Sequence, residues 1–145
     1  MRHPAFTLAN PNRVRSVLGV FAGFNPRGFH RRDGAGYRLV ADVEGLAIYR
    51  RGDAAWLVAS SQGSASYAVF ALAEGYPLAG AFRVRADLEA GIDGASETDG
   101  LAVSAGPLPG YPRGVLVVQD GRNRMPDAPQ NFKIVDWRAV EALLP

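Results

Sequence analysis

The chain has 145 residues, 48% of them hydrophobic, a formal net charge of +2 and no cysteine. That length supports one domain with a buried core, and the composition excludes disulfides, thiolate metal sites and cysteine nucleophiles. Charge is unevenly spread: residues 1–40 hold seven arginines against Asp33 alone, whereas residues 41–145 are net acidic.

The head begins Met1-Arg2-His3-Pro4, which lacks the charged-then-apolar pattern of a signal peptide, so nothing in it directs export and localisation stays open. Its arginines are not interleaved with stacking aromatics, so no nucleic-acid partner is expected. No apolar run approaches the length of a membrane span, and no membrane partner is expected either. Residues 10–23 read as a helix. Asn10 is placed to cap it, Pro11 suits its first position, Val14, Val17, Leu18 and Phe21 form an apolar face, and Gly23 ends it. Asn25-Pro26, Asp33-Gly34 and Gly36 then punctuate a loop.

From about residue 41 the texture changes to short β-prone runs. Leu46–Tyr49, Ala55–Ser60, Tyr67–Leu72 and Ala81–Val84 are separated by Gly, Asp or Ser turns. Leu101–Ser104, Val115–Gln119 and Phe132–Asp136 follow, and Arg138–Leu144 reads as a short closing helix. The segments 106–113 and 121–130 are too polar and too broken by turn residues to be strands.

This strand region repeats itself. Glu44-Gly45-Leu46-Ala47 matches Asp99-Gly100-Leu101-Ala102. Leu57-Val58-Ala59 matches Leu116-Val117-Val118, and Tyr67-Ala68-Val69-Phe70 matches Phe132-Lys133-Ile134-Val135. Each copy is a plausible propeller blade, four strands in the first and three in the second. The predicted architecture is therefore mainly β, about two blades of a β-propeller with antiparallel four-stranded and incomplete three-stranded sheets, plus a short N-terminal helix. The missing fourth strand of a last blade is ordinarily supplied by a distant N-terminal strand, and a helical head offers none. Two blades cannot close a ring.

The loop 91–100 gathers Asp93, Glu97 and Asp99 with three glycines, and Asp42 and Glu44 stand in a similar place before the first repeat. Crowded carboxylates repel one another. A hard divalent cation relieves that, and calcium accepts six to eight oxygen ligands in a forgiving geometry. Solvated acidic turns are the alternative reading of the same residues.

The stretches Ala41-Asp42-Val43-Glu44-Gly45-Leu46-Ala47-Ile48-Tyr49, Leu57–Gly63, Ser66–Val69, Gly91–Gly94, Ser96–Gly100, Val118–Gly121 and Gln130–Val135 keep an order and spacing that closely resemble the C-terminal part of the β-propeller phytases. The resemblance implies a six-bladed propeller with calcium as its cofactor, and a calcium-dependent phosphomonoester hydrolase of the 3-phytase type acting on myo-inositol hexakisphosphate. Carried over by position, Asp42, Glu44, Asp93 and Asp99 are the implied metal acids, with Glu44 and Asp93 also implied in catalysis. Glu97 lies in the same motif without an assigned role. In that family calcium draws in phosphate oxygens and activates a water for in-line attack. The family's first blades, with further calcium acids and phosphate-gripping basic residues, have no counterpart here.

Phe6–Ser16, Phe21-Ala22-Gly23, Asn25-Pro26, Phe29-His30 and Asp33–Tyr37 instead resemble the C-terminal helical domain of aminopeptidase N. The His-Glu-x-x-His zinc motif is absent, so no peptidase activity is expected. The chain is thus expected to divide into a helical aminopeptidase-N-like fragment with a linker over 1–40 and a phytase-like propeller fragment over 41–145. Three functional readings follow: a phytase-like enzyme present as a C-terminal fragment, a non-catalytic calcium-binding fragment, and a fusion product without evolved function. The two repeats and their exposed strand edges also suggest a homo-oligomer.

Overall fold

The computed structural model describes residues 17–19, 30–32, 36–39, 42–125 and 127–145. In chain order the elements are β1 (Val17–Gly19), β2 (His30–Arg32), β3 (Gly36–Arg38), β4 (Leu46–Arg51), β5 (Ala54–Ser61), β6 (Ser66–Ala71), β7 (Leu78–Arg85), β8 (Leu101–Ser104), β9 (Val115–Asp120), β10 (Asn131–Asp136) and α1 (Trp137–Glu141). A five-stranded antiparallel sheet runs β1-β7-β6-β5-β4, a three-stranded one runs β10-β9-β8, and β2 pairs with β3. Every expected strand from residue 46 onward is present within a few residues of its predicted limits. Among their described residues, the segments 106–113 and 121–130 hold only the isolated bridges Leu108↔Tyr111 and Arg124↔Asp127.

The helix expected over residues 10–23 lies mostly outside the described residues. The three that are described, Val17–Gly19, are extended instead and pair antiparallel with Arg83–Arg85 on the outer edge of β7. A sheet edge presents unpaired backbone donors and acceptors, and pairing them outweighs helical spacing in a segment containing a β-branched valine. The first sheet thereby has five strands rather than four. The second has the expected three, and the N-terminal strand joins the first sheet rather than completing the second.

The hairpins follow from local chemistry. β4 and β5 are joined by the two-residue turn Gly52-Asp53, where Gly52 takes φ +55°. Along β4 the buried Tyr49 is flanked by exposed Ile48 and Arg50. β5, an inner strand between β4 and β6, is buried continuously from Val58 to Ser61.

The core is shared by both sheets. Tyr49, Val58, Tyr67, Val69, Phe82 and Val84 of the first sheet cluster with Leu116, Val118 and Val135 of the second and with Trp137 and Val140 of α1. Tyr49 stacks on Trp137 with ring centroids 3.8 Å apart and planes 6° from parallel. Its hydroxyl donates to the Arg113 carbonyl at 2.8 Å, so the buried phenol is satisfied. Asp136 caps α1, accepting from the Arg138 amide at 2.9 Å.

The sequence repeat is also a repeat of register. Leu46 pairs with Ala59 as Leu101 pairs with Val118, and Ser60 pairs with Tyr67 as Gln119 pairs with Phe132. The Ser60 amide donates to Gly45 O at 2.9 Å, and its counterpart Gln119 donates to Gly100 O at the same distance.

Candidate functional site

Asp42 and Glu44 lie in the extended lead into β4. Three bonds hold that lead against the end of β5. The Gly45 and Glu44 amides donate to Ser60 Oγ at 2.7 and 3.3 Å, and the Gln62 amide donates to Asp42 O at 3.0 Å. Asp99 occupies the corresponding lead into β8, its amide donating to Gln119 Oε1 at 2.8 Å. The Gln62 side chain crosses from the β5–β6 turn and donates Nε2 to Asp99 Oδ1 at 2.6 Å. Asp42, Glu44 and Asp99 thus come from two sheets into one electrostatic neighbourhood. The Glu44 carboxyl is held above the ordinary carboxylate range by desolvation, then by the charge of Asp99 and a hydrogen bond with it, then by the charge of Asp42. Among the described residues, none of these three acids takes part in a salt bridge.

Asp93 is placed differently. Its Oδ1 accepts from Lys133 Nζ at 2.5 Å and its Oδ2 accepts from the Arg124 amide at 2.6 Å. Burial pushes its carboxyl up, but the Lys133 hydrogen bond, the Arg124 amide and the Lys133 charge outweigh that and leave it below the usual range. Lys133 is buried on β10 and also lies 3.0 Å from Asp120 Oδ2, 2.9 Å from Asn131 Oδ1 and 3.3 Å from Asn123 Oδ1. The Asp120 contact is ionic, since Oδ2 has no aligned hydrogen-bond donor, while Oδ1 accepts from the Ser96 and Arg122 amides. Glu97, at φ +49°, turns its carboxylate to Arg122 at 3.4 Å on the surface.

Between these acids Thr98 is buried, its hydroxyl 2.6 Å from the Tyr67 hydroxyl. Burial pushes the Tyr67 hydroxyl up to about 12, against a smaller opposing pull from Thr98, so the phenol is neutral at any ordinary pH. The 91–100 loop is therefore fixed on both sides: Tyr67 holds it to the first sheet, and Lys133 and Asp120 hold it to the second.

The donor set is hard oxygen throughout, which fits calcium rather than a soft metal. It does not complete a site: among the described residues no three His, Cys, Asp or Glu side chains converge to hold a metal ion. The sequence reading singled out the acids but gave no role to Lys133, Gln62 or Gln119. Lys133 did carry a signal, as the one lysine among sixteen basic residues.

Residues 27–144 match the family model described as Phytase. The chain belongs to the phytase family. A stretch of 113 residues is 42% identical to 3-phytase of Bacillus subtilis (strain 168), covering 72% of this chain and 28% of that protein. This phytase-family chain thus spans little more than a quarter of its curated relative. Its first 44 residues match a second family model, described as a domain of unknown function with ARM repeats (DUF3458_C). They are similar to aminopeptidase N of Escherichia coli (strain K12), 49% identical over 43 residues, and of Caulobacter vibrioides (strain ATCC 19089 / CIP 103742 / CB 15), 51% identical over 41 residues. Each match covers 5% of the peptidase and 30% and 28%, respectively, of this chain. The two family matches overlap between residues 27 and 44, around the division expected near residue 41.

Proposed function

We infer that this chain contributes the last blades of a phytase-like, calcium-dependent phosphomonoester hydrolase acting on myo-inositol hexakisphosphate. The head over 1–40 is an aminopeptidase-N-like fragment in sequence, tied to the first sheet through Val17–Gly19. The observation that carries this reading is the gathering of Asp42, Glu44 and Asp99 from the leads of two sheets, three carboxylates with no salt-bridge partner among the described residues of a phytase-family chain, with the Glu44 carboxyl raised by desolvation and by the charges of the other two. Like charges disfavour one another's ionised form, and a cation relieves that. Calcium, when bound, supplies that charge and attracts phosphate oxygens.

The chain's own residues do the positioning. Ser60 and Gln119 hold the two acidic leads by matched hydrogen bonds, and Gln62 orients Asp99. Lys133 and the Arg124 amide fix Asp93 at the head of its loop as a carboxylate. Asp42, Glu44, Asp93 and Asp99 are the acids assigned to the metal, and Glu44 and Asp93 those assigned to catalysis.

A second reading, calcium binding without turnover, is favoured by the chain's coverage of only 28% of 3-phytase. Phosphate release from phytate by the purified chain, with calcium and with a chelator, separates the two. Calcium-dependent release establishes the hydrolase. Calorimetric calcium binding that is weakened by Asp99→Asn, with no release, establishes the binding module. Absence of both overturns the calcium assignment.

A further inference from the structure

Four large apolar side chains in the repeat region stand exposed where the repeat itself says they belong in an interface. Inside the chain, the first sheet meets the second at a junction with three defined contacts. Tyr67 hydrogen-bonds Thr98 at 2.6 Å, the backbone of Gly45 abuts Leu101, and Gln62 of the β5–β6 turn donates to Asp99. A Cβ on Gly45 would lie 2.9 Å from the Leu101 amide nitrogen. Leu101 and Val103 pack against the shared core there.

The register gives each of these residues a counterpart at an open end of the molecule. The counterparts of Thr98, Leu101 and Val103 are Val43, Leu46 and Ile48, which are 44%, 61% and 47% exposed. The counterpart of Tyr67 is Phe132, which is 62% exposed. The counterpart of Gly45 is Gly100, where a Cβ would meet nothing within 4 Å.

The substitutions between copies are matched across the two ends. At the inner junction a tyrosine hydroxyl meets a threonine hydroxyl. At the open ends both partners have lost the hydroxyl, leaving Phe132 and Val43, so neither would bury an unpaired polar group against the other. Charge is matched as well. The acids Asp42 and Glu44 mark one end, while the turn after β9, which corresponds to the Gln62 turn, carries the exposed arginines Arg122 and Arg124. Where Gln62 reaches Asp99 inside the chain, an arginine would reach Glu44 outside it.

We propose that the Val43–Leu46–Ile48 face of one copy docks on the Phe132–Gly100 face of a second copy, repeating the inner junction between chains. The contact joins two different surfaces head to tail, so it closes into a ring or extends as a filament rather than forming a symmetric pair. It rests on the repeat register and not on phytase activity, so failure of one leaves the other standing.

The test uses sedimentation equilibrium of the full chain, with Leu46→Asp and Phe132→Asp as blocking variants whose folding is checked by circular dichroism. Both side chains are exposed, so both variants are expected to melt like the parent. The parent is expected to gain mass with concentration beyond a dimer. Each variant alone is expected to stay monomeric, because every contact then has one blocked side. An equimolar mixture of the two is expected to form a one-to-one dimer and nothing larger, since one variant keeps the Phe132 face and the other keeps the Leu46 face. A parent that stays monomeric across the range, or a mixture that stays monomeric, overturns the proposal. So does assembly that neither variant reduces, the signature of unspecific association or of a different partner.

Discussion

Lys133 carries a buried ammonium group between two carboxylates, Asp93 at 2.5 Å and Asp120 at 3.0 Å, with two asparagine oxygens completing its surroundings. In the first repeat the same register position holds Ala68, and the positions matching Asp120 and Asn131 hold Ser61 and Ser66. Ser64 Oγ stands 2.9 Å from Ser61 Oγ and 2.6 Å from Ser66 Oγ, a neutral hydroxyl network in place of the ionic one. Two copies of one fold thus solve the same buried strand end in two ways, and the ionic one anchors the acidic loop 91–100. Removing one partner of a buried charge group leaves the others uncompensated, at a cost of about 3–5 kcal/mol. Lys133→Met is therefore expected to lower the unfolding free energy read from urea titration by that amount, and Lys133→Met with Asp120→Asn to recover part of the loss. If the single variant unfolds like the parent, the network contributes nothing to stability.

At the scale of single elements, most of the β structure was legible because its signals were local. Alternation and turn residues placed β4 to β10, and the repeated Glu/Asp-Gly-Leu-Ala pattern reappears as equal registers in the two sheets. Val17–Gly19 was not legible, because helical spacing describes a segment in isolation while the free edge of β7 lies more than sixty residues away in sequence. The closing helix was visible but begins one residue early, where Asp136 caps it, and ends three residues short of the expected limit. Asp136 accepts from the Arg138 amide at 2.9 Å and pairs with the Arg138 guanidinium at 2.5 Å. Burial pushes the Asp136 carboxyl up, but the Arg138 hydrogen bonds and charge prevail and leave it below the usual range. A carboxyl depressed in the folded state stabilises fully above its unfolded value, and that contribution is lost as pH falls through the folded value. Asp136→Ala is expected to cost about 1 kcal/mol at neutral pH, the usual loss for an N-cap. The difference from the parent should shrink as pH falls below the ordinary carboxylate range. Thermal melts of both proteins across that range check it, and a pH-independent difference would assign the loss to packing instead.

At the scale of the whole molecule, the acidic leads of both sheets meet only because the two repeats share one core. The acidic motifs drew attention to these residues, and the fold divides them, bringing Asp42, Glu44 and Asp99 together while Lys133 claims Asp93. That division was not readable from the motif, since it depends on where a lysine forty residues downstream enters the sheet. It also sets stability against binding. A carboxyl raised in the folded state costs stability as pH rises through its unfolded value toward its folded one, because the native state then holds the extra proton. Glu44 is in this position through desolvation and the charges of Asp99 and Asp42. Glu44→Gln removes one of the three like charges without changing the shape of the lead, so the calcium-free variant is expected to melt above the parent at neutral pH. A ligand that binds only the folded state stabilises by about 2.7 kcal/mol at a hundredfold excess over its dissociation constant. The parent is therefore expected to rise in melting temperature with calcium, and Glu44→Gln to rise less. The two curves should converge or cross as calcium is added. Parallel curves would show that Glu44 takes no part in binding the ion, and a variant that melts below the parent without calcium would show that repulsion at this acidic lead is not what the site has to offset.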